Sequence, residues 1–177
     1  SNFFSDIIYN WIGTTGLLPS IIALLLVFIQ AFILNQIVAN YKIRRTTTYF
    51  PAIAYVLVTS AVPEFLELHP LHFANTFTIL AINQLFQSYR KYEAASELFN
   101  IGFFVAVGSL FYFSINILIL FSILGLIVIR SFKLRELLII IIGFAVPFIL
   151  VGTYLLWTNQ FDNFQNLWVN FYFFDLQ

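Results

Sequence analysis

LLPSIIALLLVFIQAFILNQIV, residues 17–38, decides the fold. It carries no charged side chain. As a helix of 22 residues it rises about 33 Å, a match to the roughly 30 Å of bilayer hydrocarbon. Pro19 falls in the first turn, where its missing N–H is no loss. In lipid, backbone groups must find partners within their own segment, so the stretch is read as a transmembrane helix.

Five further apolar stretches follow. They cover 47–62, with Pro51 in its first turns and Pro63 ending it, 71–89 after Pro70, then 95–112, 114–129 and 137–157. The expectation is an all-α, polytopic transmembrane helical bundle of about six spans in one domain. These are continuous apolar runs, not the alternating ten-residue strands of a membrane β-barrel. Only Phe113 to Asn116 separates the fourth and fifth stretches. A single helix across both, about 35 residues, would overshoot the bilayer even when tilted.

Composition agrees. Of 177 residues, 61% are hydrophobic and 9% charged, against about 25% charged in a soluble domain. A net charge of zero argues against a nucleic-acid partner. The absence of cysteine excludes a disulfide framework, a thiolate metal site and a cysteine nucleophile. The chain opens on Ser1, contains no methionine, and has Asp6 where a signal peptide would be basic. It is therefore expected to be a fragment lacking at least one upstream span, and not to open on a signal peptide.

Charge sets the orientation. The eight Lys and Arg residues form three clusters: Lys42, Arg44 and Arg45; Arg90 and Lys91; Arg130, Lys133 and Arg135. With six alternating spans all three loops, 39–46, 90–94 and 130–136, fall on one side, which the positive-inside rule makes cytoplasmic. Residues 1–16, 63–70, 113–116 and 158–177 then face outward. Within them, Phe4, Ile7, Ile8 and Trp11 share a helical face, as do Phe161, Phe164, Trp168 and Phe171. Segments 3–12 and 160–174 are read as amphipathic helices in the outer headgroup layer.

Ionisable groups are expected at the ends of the spans and not at depth, which disfavours a small transporter. The neutral polar groups Gln30, Asn35, Gln36, Asn75, Thr76, Thr78, Asn83 and Gln87 are expected to join helices by hydrogen bonds. Gly102, Ala106 and Ser109 form a small-residue face suited to close packing, and Gly125, Gly143 and Gly152 suit it elsewhere. On the cytoplasmic side Glu93 and Glu97 follow Arg90 and Lys91, and Glu136 follows Arg135; all are read as solvated surface pairs.

One constellation has chemical potential. The outer loop runs from Pro63 through Glu64, Glu67 and His69 to Pro70, with His72 just beyond. Carboxylates and imidazoles can bind a divalent metal, which makes Glu64, Glu67, His69 and His72 the metal candidates. Glu64, Glu67 and His69, with Asp6 on the same side, are the acid/base candidates. The plainer reading is an interfacial turn whose charges face water.

Two sets of residues carry a resemblance. One is Tyr49-Phe50-Pro51-Ala52, Pro63-Glu64-Phe65-Leu66 and Ala74-Asn75-Thr76-Phe77; the other is Glu97 to Phe103, Ser109 to Phe113, Gly143-Phe144 and Val151 to Tyr154. Over roughly residues 30–160 they resemble an integral-membrane family of Bacteroidota classed as a domain of unknown function, which implies an inner-membrane location. More distantly, the order of elements is similar to GT-C glycosyltransferases, which use polyprenyl-phosphate sugars. That likeness implies a lipid-linked ligand and would make Asp6 the carboxylate of the first outer loop. The acidic pair usual in that loop and the large outer domain are not visible here. The expected function is a non-catalytic subunit of a larger inner-membrane assembly, partnered by the bilayer and other membrane subunits, with no cofactor. The alternative is a GT-C-like enzyme or pseudo-enzyme relative.

Overall fold

The apolar runs fold as helices throughout, and no strand occurs among the described residues. The computed structural model describes residues 17–41, 48–62, 68–89, 91–129 and 133–158. Six α-helices follow in order: α1 (Leu17–Asn40), α2 (Phe50–Ser60), α3 (Pro70–Tyr89), α4 (Ala95–Phe111), α5 (Leu118–Ile129) and α6 (Leu134–Trp157). A 3-10 turn, Phe113–Ile117, precedes α5. The expected interfacial helices at 3–12 and 160–174 lie outside the described residues, as do Asp6, Glu64 and Glu67.

Two helices, α1 and α6, are long and apolar enough to cross a membrane. Each has 24 residues, a rise of about 36 Å. The stretches at 47–62 and 114–129 yield shorter helices, of 11 and 12 residues, rising about 16 and 18 Å. The break between the fourth and fifth stretches falls where the sequence put it. Tyr112 is extended, with φ −142° and ψ 104°, and this ends α4. Helix α6 starts at Leu134, three residues before the expected 137, so Arg135 and Glu136 lie in its first turn.

Cross-helix contacts fix the direction of each helix. Gln30 meets His72 and Thr76, and Tyr41 meets Asn83, so α1 and α3 run parallel. Tyr55 meets Gln30, and a groove brings Ser20 near Ser60, so α2 runs back along α1. Phe73 and Phe77 stack on Phe111 at 5.5 and 6.0 Å, while Leu85 packs on the cluster of Ala94 and Leu98; α4 is antiparallel to α3. Leu118 and Phe121 lie near Thr78 and Ala81, and Gly125 meets Leu85, so α5 follows α3. Ile139 lies near Ala94 and Leu98, and Gly143 meets Phe99, so α6 follows α4. Direction therefore alternates through all six helices.

The core sits where α3, α4, α5 and α6 meet. Ala94, Leu98, Ile101, Leu126 and Ile140 are buried together, with Leu85, Ile119 and Ile139 against them. Helices α4 and α6 touch backbone to backbone. A Cβ on Gly102 would lie 2.1 Å from the Ile140 carbonyl oxygen, and one on Gly143 would lie 2.2 Å from that of Phe99. Each helix presents a notch to the other, the close approach that small residues permit. Large apolar side chains cover the outside, among them Leu25, Phe28 and Phe32 of α1 and Ile142, Ile149 and Leu150 of α6.

Candidate functional site

Polar chemistry gathers in three places. The first is a hub joining α1, α2 and α3. Gln30 is fully buried. Its Nε2 donates to the His72 carbonyl and to Thr76 Oγ1, both at 2.7 Å. Its Oε1 accepts from the Tyr55 hydroxyl at 2.6 Å. The Asn75 amide donates to that same hydroxyl. Thr76 Oγ1 donates to the His72 carbonyl at 2.9 Å, leaving a lone pair for Gln30. The carbonyl can only accept, so the amide nitrogen of Gln30 must face it, and the orientation of the whole circuit follows. Buried amides and hydroxyls without partners would each cost about 1–3 kcal/mol; here they satisfy one another across three helices.

A second peg lies eleven residues on, between Tyr41 just past the end of α1 and Asn83 in α3. The Tyr41 hydroxyl donates to Asn83 Oδ1 at 3.2 Å, and its ring stacks on Phe86 at 5.4 Å. Eleven residues is about three helical turns, so both pegs share one face of each helix and lock the register of the pair. The interhelical hydrogen bonds expected of Gln30, Thr76, Asn75 and Asn83 are thus present, whereas Thr78 Oγ1 donates within its own helix, to the Ala74 carbonyl at 3.0 Å. Sequence reasoning missed Tyr41 and Tyr55. Their signal was a lone hydroxyl on an otherwise apolar surface, which aromatic residues of the membrane interface share.

The second place is the start of α3. His69 is half-buried; its Nδ1 accepts from the Leu71 N–H at 3.2 Å, and its ring meets Tyr112 edge-on at 6.3 Å. His72 is fully buried inside the helix. The two histidines are therefore divided between a helix-starting turn and the bundle interior. Among the described residues no group of three His, Cys, Asp or Glu side chains could hold a metal. The other candidates, Glu64, Glu67 and Asp6, lie outside the described residues.

The third place departs from expectation. Glu97 and Glu136, read from sequence as solvated, are 4% and 8% exposed. Both sit in first turns, Glu97 of α4 and Glu136 of α6. The close approach at Gly102 and Gly143 draws those turns together and closes them over the carboxylates. Lys91 forms an ion pair with Glu97. Arg90 lies outside the described residues, so its pairing with Glu93 is not seen. Beside the ion pair a cavity of about 200 Å³ opens between the starts of α4 and α6. Glu93, Glu136, Lys133 and Arg135 line it over a floor of Leu98 and Ile139. All described cations of the chain, Lys91, Lys133 and Arg135, gather at this one end. The missed signal was the six-residue spacing of Lys91 and Glu97, which a continuous helix would place on different faces but a turn before α4 brings together.

Among the described residues the class defined is an all-helical bundle with two helices of membrane-crossing length, an apolar exterior, a neutral hydrogen-bonded hub between α1, α2 and α3, and two buried carboxylates at the starts of α4 and α6. Compared with known proteins, the chain matches no family model, no curated protein and no solved structure.

Proposed function

We propose that the chain is a multi-pass protein of the bacterial inner membrane and serves as a non-catalytic subunit of a larger membrane assembly. The observation that carries the reading is the Gln30 hub. A buried set of neutral polar groups is engaged in holding α1, α2 and α3 together. Such a hub, built of neutral groups that bond one another across three helices, suits a scaffold.

Helix direction supports six passes. Helices α1 and α3 run the same way and α2 runs back between them, which supports a return pass. The same holds for the chain between α4 and α6, which contains the 3-10 turn and α5. The described cations at one end agree with basic loops on the cytoplasmic side.

The test is purification from native membranes in mild detergent, followed by native mass measurement. Stoichiometric copurification of other membrane proteins is expected. A chain that always emerges alone refutes the subunit role. A chain released from membranes by alkaline carbonate refutes the integral placement.

A further inference from the structure

We propose that the cavity between the starts of α4 and α6 is a binding site for a phospholipid head group carrying both a phosphate and a primary ammonium, the phosphatidylethanolamine class. The proposal rests on the membrane placement above. The cavity lies at the cation-bearing end of the bundle, where the membrane reading puts the head groups. The cavity, about 200 Å³, has room for a small polar head group.

Its charges come in two pairs. Arg135 and Lys133 are exposed cations at the start of α6. A guanidinium meets phosphate oxygens in a two-pronged geometry and an ammonium meets them as a point charge. Glu93 supplies an exposed carboxylate from the α4 side of the cavity, across from Glu136, which is buried and already engaged. A primary ammonium has three N–H donors for the Glu93 carboxylate; a trimethylammonium has none. A purely anionic head group would face that carboxylate with nothing to offer it. Leu98 and Ile139 give the cavity an apolar floor, and exposed Leu134 and Leu138 of α6 offer apolar surface for the glycerol backbone and chains. Lys91 is held by Glu97, and among the described residues Glu93, Glu136, Lys133 and Arg135 are the charged side chains that line the cavity.

The test uses the full chain in detergent and native mass spectrometry, with ethanolamine, glycerol and choline phospholipids of identical acyl chains. The ethanolamine lipid is expected to be retained several-fold better than the other two. The Lys133→Ala/Arg135→Ala variant should lower retention of all three. Glu93→Gln should lower the ethanolamine lipid towards the level of the glycerol lipid. All three altered side chains are exposed, and circular dichroism on each variant checks that the helices persist. Equal retention of the three lipids, or an ethanolamine preference untouched by both variants, overturns the proposal. Binding of free phosphoethanolamine with no lipid preference overturns it too, by assigning the cavity to a soluble ligand. A chain that remains in membranes yet ignores head-group identity defeats only this inference; a chain found soluble and lipid-free defeats the membrane placement as well.

Discussion

Gly102→Ala tests the weld between α4 and α6. The added methyl would sit 2.1 Å from the Ile140 carbonyl oxygen and 2.7 Å from the Phe144 nitrogen. Both are backbone atoms of a helix, so neither can rotate away, and the helices must part by about 1 Å to restore contact. Overpacking of a tight core costs about 1–3 kcal/mol, and a clash with rigid backbone belongs at the upper end. Alanine recovers about 1 kcal/mol of helix propensity over glycine. The net expectation is a loss of about 2 kcal/mol. Gly143→Ala should match it, because its methyl meets Phe99 backbone atoms at 2.2 to 3.1 Å. Gly125→Ala is the control: its methyl meets only the Leu85 side chain, at 3.0 Å, so it should be neutral or slightly stabilising. Gly108→Ala, at 3.2 Å from the Ala74 carbonyl oxygen, should fall between. The assay is unfolding of the purified chain from mild detergent into SDS, followed by circular dichroism or tryptophan fluorescence. Equal stability of the Gly102 and Gly125 variants would refute the close-contact geometry.

Further outcomes follow from the polar contacts. Gln30→Leu removes three short hydrogen bonds, each worth about 0.6 kcal/mol in a membrane bundle, so it should cost about 2 kcal/mol in the same unfolding assay. Tyr55→Phe should cost about 1 kcal/mol, and the double variant less than the sum, because one bond is shared; strict additivity would place Tyr55 outside the hub. Lys91→Met should destabilise by about 1–3 kcal/mol, because it leaves the buried Glu97 without its cation. Lys91→Met combined with Glu97→Gln should recover most of that loss, whereas a double variant worse than Lys91→Met would show the pair is not coupled.

Much of the helical architecture was legible from apolar run length alone. The breaks at Pro63–Pro70 and Phe113–Asn116 fell between helices because proline and local polarity interrupt those runs. Start and end positions were less legible. Helix α6 extends back to Leu134 because charged residues are tolerated in a first turn, which a hydropathy reading trims away. Gly102 was recognised as part of a small-residue face, but its partner was not, since the notch on Gly143 depends on how α4 and α6 cross. The burial of Glu97 and Glu136 was invisible for the same reason: each has a basic neighbour in sequence, and only the meeting of two helix starts removes them from water. His72 showed the converse. Proximity in sequence to His69 suggested a shared site, yet the helical turn that begins at Pro70 carries it inward, where its carbonyl serves Gln30.

Helix direction is the central claim, and cysteine labelling tests it most directly, because the chain has no native cysteine. Single cysteines at the exposed positions Tyr92 and Lys133 mark the cation-bearing end, and at Ala61 and Thr158 the opposite end. In intact spheroplasts a membrane-impermeant maleimide should label the Ala61 and Thr158 variants at once, and the Tyr92 and Lys133 variants only after the membrane is opened. Labelling that divides Tyr92 from Lys133, or Ala61 from Thr158, would contradict six alternating passes.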